Sequence, residues 1–241
     1  MATSADTPER RNSIPAMRHA ITRRFNDPPP WVILTQLFIG LGWLRAATEK
    51  VIDPAWWRGE VITDFVETHS EQTLPWYDPF LDIAVLPAAT SFTLIVVLAQ
   101  LIAGTSLVTG RYLPIGLSVG IMLNLHFMAV GAVAPSAFYL LAQGSLALWL
   151  CEGPASAGRI RNLRTVSAVS AASVLVNLPF ITTLRPNEVI DDPAAMFAFG
   201  GALTALTCLL AARSIDSTPE PQEAFDEATP QAPPRMLASI D

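Results

Sequence analysis

From Ile83 to Gly110 the chain reads IAVLPAATSFTLIVVLAQLIAGTSLVTG and carries no charged side chain. A bilayer's hydrocarbon core takes roughly 20 consecutive apolar residues as one helix, and this run is longer than that. Soluble chains seldom read this way. The rest of the sequence agrees: 51% of its 241 residues are hydrophobic, only 15% are charged, and the mean hydropathy is +0.39. Charges gather toward the two ends and into short stretches between apolar runs. An all-α, polytopic membrane helical bundle is therefore expected.

Six segments have the length and composition of spans: Trp31–Lys50, Ile83–Thr109, Tyr112–Val133, Ser136–Cys151, Thr165–Leu184 and Ala194–Ala212. Turn or charge signals bound them, among them Pro28-Pro29-Pro30, Asp53-Pro54, Gly110-Arg111, Gly153-Pro154 and Asp192-Pro193. Basic residues near helix ends are retained in the cytoplasm. Arg10, Arg11, Arg18, Arg23 and Arg24 precede the first span, Arg111 joins the second to the third, and Arg159, Arg161 and Arg164 precede the fifth. All fall on one side if both termini are cytoplasmic, which leaves the acidic stretches Asp53–Asp82 and Arg185–Asp192 outside. A plasma-membrane, multi-pass protein with both termini inside is expected. A cleaved signal peptide would need a charged region of about thirty residues and a cleavage site beginning at Arg45, so the first span reads as a retained anchor.

The chain divides accordingly. Residues 1–30 form a basic cytoplasmic tail, 31–152 a four-helix membrane domain with an extracytoplasmic cap loop at 53–82, 153–213 two further spans, and 214–241 a polar, proline-rich cytoplasmic tail. Both tails lack apolar periodicity and read as disordered.

The two cysteines, Cys151 and Cys208, form no CxxC and read as buried, inert thiols at the cytoplasmic ends of the fourth and sixth helices. His126 is the single histidine inside a span, so no haem pair is available, and there is no nucleotide fingerprint or Cys/His metal cluster. No intrinsic cofactor is expected; a redox role would use a diffusible one such as a membrane quinone. The bilayer is the expected partner, with a second redox subunit or soluble redox partner beside it, and no nucleic acid.

The first span ends in LRAATEKVIDPAWW, which contains the only lysine of the chain, Lys50. Arg45 and Glu49 lie four apart, on one helix face, and can neutralise each other, whereas Lys50 is turned about 100° from Glu49. Lys50 can snorkel to the interface, with a cation–π contact in a belt of Trp56, Trp57, Trp76 and Tyr77. It can also join Arg45 and Arg58 in concentrating an anion or orienting a quinone headgroup. Beyond it, Val61, Ile62, Phe65 and Val66 recur at helical spacing, which predicts a short amphipathic helix along the membrane surface.

Within the spans Gln36, Gln100, Asn124, His126, Gln143 and Asn177 are polar, and polar groups in hydrocarbon face the bundle and find partners. Gly116, Gly120 and Asn124 make a stripe suited to close helix packing. His126 has two readings: proton exchange with a quinone, or a hydrogen bond that joins helices.

LFIGLGWLRAATEKVIDPAWW resembles the first helix and exit of the DoxX/DoxD family of small integral membrane proteins. LAQLIAGTSLVTGRY is similar to that family's glycine-rich second helix ending in arginine, and NLHFMAVGAV to the third-helix pattern of its DoxD-like members. The resemblance covers Trp31 to Glu152. It implies a four-helix bundle and, for the DoxD-like branch, the quinone-linked subunit of thiosulfate:quinone oxidoreductase. Lys50 matches the family's lysine, while Gln100 and Gln36 stand where many relatives place a glutamate and an arginine. These departures suggest a neutral amide pair in place of a charged one.

The candidate set is thus Lys50 and His126 for chemistry, with Arg45, Glu49, Arg58, Gln36, Gln100, Asn124 and Gln143 for binding substrate or quinone, and no metal. Three classes of function follow: a sulfur-compound:quinone oxidoreductase subunit, a non-catalytic scaffold for a redox or oxidative-stress complex, and a small transporter. The last lacks the internal repeat and broken helices that transporters use.

Overall fold

Among the described residues, the uncharged run from Ile83 folds into the second of six helices that are long and apolar enough to cross a membrane. The structure is a computed structural model and describes residues 28–152, 156–186 and 188–216. Helix α1 (Pro30–Ile52) is followed by a cap of three short helices, α2 (Pro54–Trp57), α3 (Glu60–Thr68) and α4 (Asp78–Phe80). The long helices α5 (Ala89–Thr109), α6 (Leu113–Val130), α7 (Val133–Leu150), α8 (Ala157–Asn177) and α9 (Pro193–Asp216) follow. Most residues of the two polar tails, and the turn at Gly153-Pro154, lie outside the described residues.

Local sequence explains the breaks. Pro54 disfavours helical backbone at Asp53, which turns extended, and the Asp53 carboxylate then accepts the Ala55 N–H at 2.9 Å to start α2. Gly131 ends α6 at a φ of 116°, a conformation that other residues rarely adopt. Between α4 and α5 the backbone passes through a π turn (Leu81–Val85) and a 3-10 turn (Leu86–Ala88), because Pro87 has no N–H for the carbonyl one turn before it. Residues Asp78–Thr109 still run as one span.

α1 packs on α5, α5 on α6 and α6 on α7, and α7 returns to α1, closing a four-helix bundle. α8 and α9 pack chiefly on each other and reach the bundle through contacts of α9 with α6 and α7. Lipid tails are as apolar as leucine, so close packing rather than hydrophobic burial holds such helices together. Gly104 supplies it in α5: a Cβ there would stand 2.9 Å from the Gly40 carbonyl oxygen and 2.8 Å from Leu44 Cγ. The outward surface carries Leu34, Phe38, Leu41, Ile95, Met122, Leu141, Val169, Leu175 and Phe199, all exposed. In water that belt would aggregate; in a bilayer it meets lipid. The chain is a multi-pass membrane protein.

The cap is fastened to the bundle. Ile62 and Val66 of α3 turn inward onto Leu74, Tyr77, Leu81 and Val130, while Asp64 and Glu67 face outward. The Leu74 N–H donates to Ala129 O at 2.9 Å, Thr73 Oγ1 to Val130 O at 3.0 Å, and Thr93 Oγ1 of α5 to Trp56 O at 2.8 Å.

Two expectations are corrected. The fifth helix begins at Ala157 rather than Thr165, capped by Ser156, so Arg159, Arg161 and Arg164 are helical. Hydropathy locates the apolar stretch, but arginine is a good helix former and the coil continues past it. Cys208 is buried as expected, whereas Cys151 sits exposed at the end of α7.

Candidate functional site

A cavity of about 460 Å³ lies inside the four-helix bundle beneath the cap, lined from α1, α5, α6, α7 and the cap segment, with no residue from α8 or α9. Its walls are apolar: Ala46, Phe65, Phe92, Val96, Leu123 and Phe127 contribute. On α1, Trp43, Ala46 and Lys50 recur at helical spacing and so face it together.

Lys50 does not extend to the surface. Its Nζ stands 4.5 Å from the centroid of the Trp56 ring and 3.4 Å from Ala46 O, and it makes no ion pair among the described residues. Arg45 and Glu49 pair at 2.9 Å on an exposed face of α1, outside the cavity. Arg58 is taken by Glu60 at 2.6 Å, also exposed. The hydrogen-bonded Glu60 raises the affinity of the guanidinium for its proton, and Arg58 in turn holds the Glu60 carboxyl below its usual range. The expected trio of Arg45, Lys50 and Arg58 is therefore not assembled: each arginine has a nearer carboxylate, and Lys50 alone lines the cavity.

His126 faces the same space, and its Nδ1 lies 2.6 Å from the hydroxyl oxygen of Tyr77. Phe80 stacks on the imidazole at 6.1 Å. Tyr77 is thus no member of an interfacial belt: it is buried in the cap core, and burial pushes its phenol up to about 12. Trp57 and Trp76 remain exposed, and the Trp76 indole donates to Asn177 Oδ1 of α8 at 3.2 Å.

The amides divide. Gln100 and Asn124 line the cavity, whereas Gln36 and Gln143 are buried outside it. Asn124 Nδ2 donates to Gly120 O at 3.0 Å and to Gln143 Oε1 at 3.1 Å, tying α6 to α7. Gln100 Oε1 has no hydrogen-bond partner among the described residues, so the amide pair expected of Gln36 and Gln100 is not made through that oxygen. The indole Nε1 of Trp43, buried on α1, also has none among the described residues. Trp43 and Tyr139 were not singled out from sequence; for Trp43 a signal existed, since it stands seven residues before Lys50 and therefore on its face.

The cavity thus presents a cation and a phenol–imidazole couple within an apolar cage. An amphiphile with an oxygenated headgroup suits it. No protein-family model matches the chain, and neither a curated protein nor a solved structure matches it.

Proposed function

We propose that this chain is a DoxX/DoxD-like protein whose cavity binds a membrane quinone, and that it is the quinone-linked subunit of a thiosulfate or related sulfur-compound:quinone oxidoreductase. The observation that carries this reading is Lys50, a cation with no ion pair among the described residues, which lines the same largely apolar cavity as His126 and Tyr77. An unpaired charge in such surroundings is costly and marks a functional site. Lys50 donates to a headgroup oxygen, the aromatic walls pack its ring, and the His126–Tyr77 couple moves protons to it.

In the plasma membrane with both termini cytoplasmic, the cap faces outward, where the sulfur compound is met. Two thiosulfate dianions each give up one electron and join through a new S–S bond as tetrathionate. The quinone takes those two electrons with two protons and becomes quinol. A second redox subunit or soluble partner at the cap passes the electrons on.

The test is to purify the protein in mild detergent, extract it for bound quinone, and assay reduction of a soluble quinone analogue by thiosulfate. Bound quinone with turnover is expected. Neither would overturn the reading and leave a non-catalytic scaffold.

A further inference from the structure

Where α8 begins and α9 ends, an open groove of about 560 Å³ runs along α8, lined by Ile160, Arg161, Arg164, Ala168 and Val169 together with Asp216 of α9. Arg161, Arg164 and Ala168 follow one another at helical spacing and share one face of α8. The two guanidiniums differ in their partners. Arg164 Nη2 donates to Asp216 Oδ2 at 2.9 Å, whereas Arg161 makes no ion pair among the described residues. The Thr165 hydroxyl beside them donates to the Arg161 carbonyl at 3.0 Å, so recognition of a ligand there falls to the arginines. Along its length the groove turns from charged to apolar. About 20 residues of helix cross the hydrocarbon core, and counted back from Phe180, where the span ends, they reach Arg161. The arginines therefore stand at the border between hydrocarbon and headgroups, while Val169, two turns deeper, is 66% exposed and meets acyl chains.

We infer that this groove holds an anionic phospholipid, with its phosphate against Arg161 and Arg164 and an acyl chain along Ala168 and Val169. A guanidinium matches a phosphate through two parallel hydrogen bonds. Two guanidiniums set against one carboxylate leave a single positive charge in the lining, which complements a headgroup of single negative charge better than a zwitterionic one. The attraction of one arginine for an anionic headgroup corresponds to a preference of roughly fivefold. An acidic peptide is the competing occupant, and residues 217–241, with Glu220, Glu223, Asp226 and Glu227, follow directly on Asp216. Such a segment suits the arginines but not the apolar floor, which descends into the span past Arg164. A lipid suits both.

The test is native mass spectrometry of the full-length protein in detergent, titrated with phosphatidylglycerol and with phosphatidylcholine of the same acyl chains. The wild type is expected to bind phosphatidylglycerol roughly fivefold more tightly. Arg161→Gln is expected to abolish that preference and leave phosphatidylcholine binding unchanged. Asp216→Asn removes the competing carboxylate, frees Arg164, and is expected to widen the preference. Both residues are exposed, so neither substitution should shift the melting temperature, and effects of opposite sign separate a charge-reading site from damage to the fold. Equal retention of the two lipids by the wild type, or retention of neither, would overturn the inference. So would a preference that survives Arg161→Gln, since the lipid would then sit elsewhere. A preference that appears only after removal of residues 217–241 would give the groove to that acidic segment and would overturn it as well.

Discussion

The phenolic oxygen of Tyr77, in the cap, and Nδ1 of His126, in α6, stand 2.6 Å apart, joining the cap to the bundle beside the cavity. The Nε2–H tautomer of the imidazole lets the phenol donate, and the phenol stays protonated because burial pushes it up to about 12. A raised acidic pKa stabilises the fold fully below the unfolded tyrosine's value of about 10 and loses that effect as pH rises further. Tyr77→Phe keeps the ring against Phe80 and Trp76 but removes the bond. A loss of about 0.5–1.5 kcal/mol is expected. Thermal melts in detergent at pH 7 and above pH 11 check it: the two proteins should differ at the first and converge at the second.

Lys50→Met retains an unbranched stem over Trp56 and removes the charge. Because Lys50 makes no ion pair among the described residues, no carboxylate is orphaned. The expected outcome is unchanged protein in the membrane with quinone-analogue binding weakened at least tenfold, read by immunoblot and by titration. Arg45→Ala, which releases only the exposed Glu49, should leave both near wild type.

Asp192 fixes the turn between α8 and α9. Its Oδ2 accepts the Thr182 N–H at 2.7 Å, the Thr182 hydroxyl at 2.8 Å and the Thr183 N–H at 3.2 Å, and its Oδ1 accepts the Ala195 N–H at 3.0 Å. Burial pushes this carboxyl up, but the four donors outweigh it and hold the group below the usual carboxylate range. A depressed pKa stabilises at neutral pH, and the effect is lost as pH falls below the unfolded carboxylate's range and through the folded-state value. Asp192→Ala should cost about 1–3 kcal/mol at pH 7, and the difference from wild type should shrink on acidification.

Gly104→Val tests the α1–α5 seam. The added atoms meet the Gly40 carbonyl and Leu44, neither of which can retreat without separating the helices. Overpacking of this kind costs about 1–3 kcal/mol. Lower yield and a lower melting temperature are expected, whereas Gly144→Ala, with open space around it, should change neither.

The spans were legible because apolar length is a property of the sequence itself: the run from Ile83 to Thr109 falls within the span Asp78–Thr109. The amphipathic α3 was legible from Ile62 and Val66, which recur at helical spacing and are both buried. The pairing of Arg45 with Glu49 and the stacking of Lys50 on Trp56 also follow from spacing and proximity. What spacing cannot carry is the fold-back of the cap. Tyr77 and His126 are 49 residues apart, and nothing local in WYDPF brings that phenol to α6. The amides were equally opaque: Gln36 and Gln100 look alike in sequence, yet only Gln100 lines the cavity. The start of α8 was missed because hydropathy does not register a helix that continues through Arg159, Arg161 and Arg164.

The most direct measurement is photolabelling of the purified protein with a light-activated quinone analogue, with the adducts located by mass spectrometry. Adducts on the cavity lining, at Lys50, Trp56, Gln100 or His126, that disappear when excess unlabelled quinone is added are expected. Adducts confined to the lipid-facing residues Phe38, Met122 or Leu141 and indifferent to competition would contradict a quinone site beneath the cap.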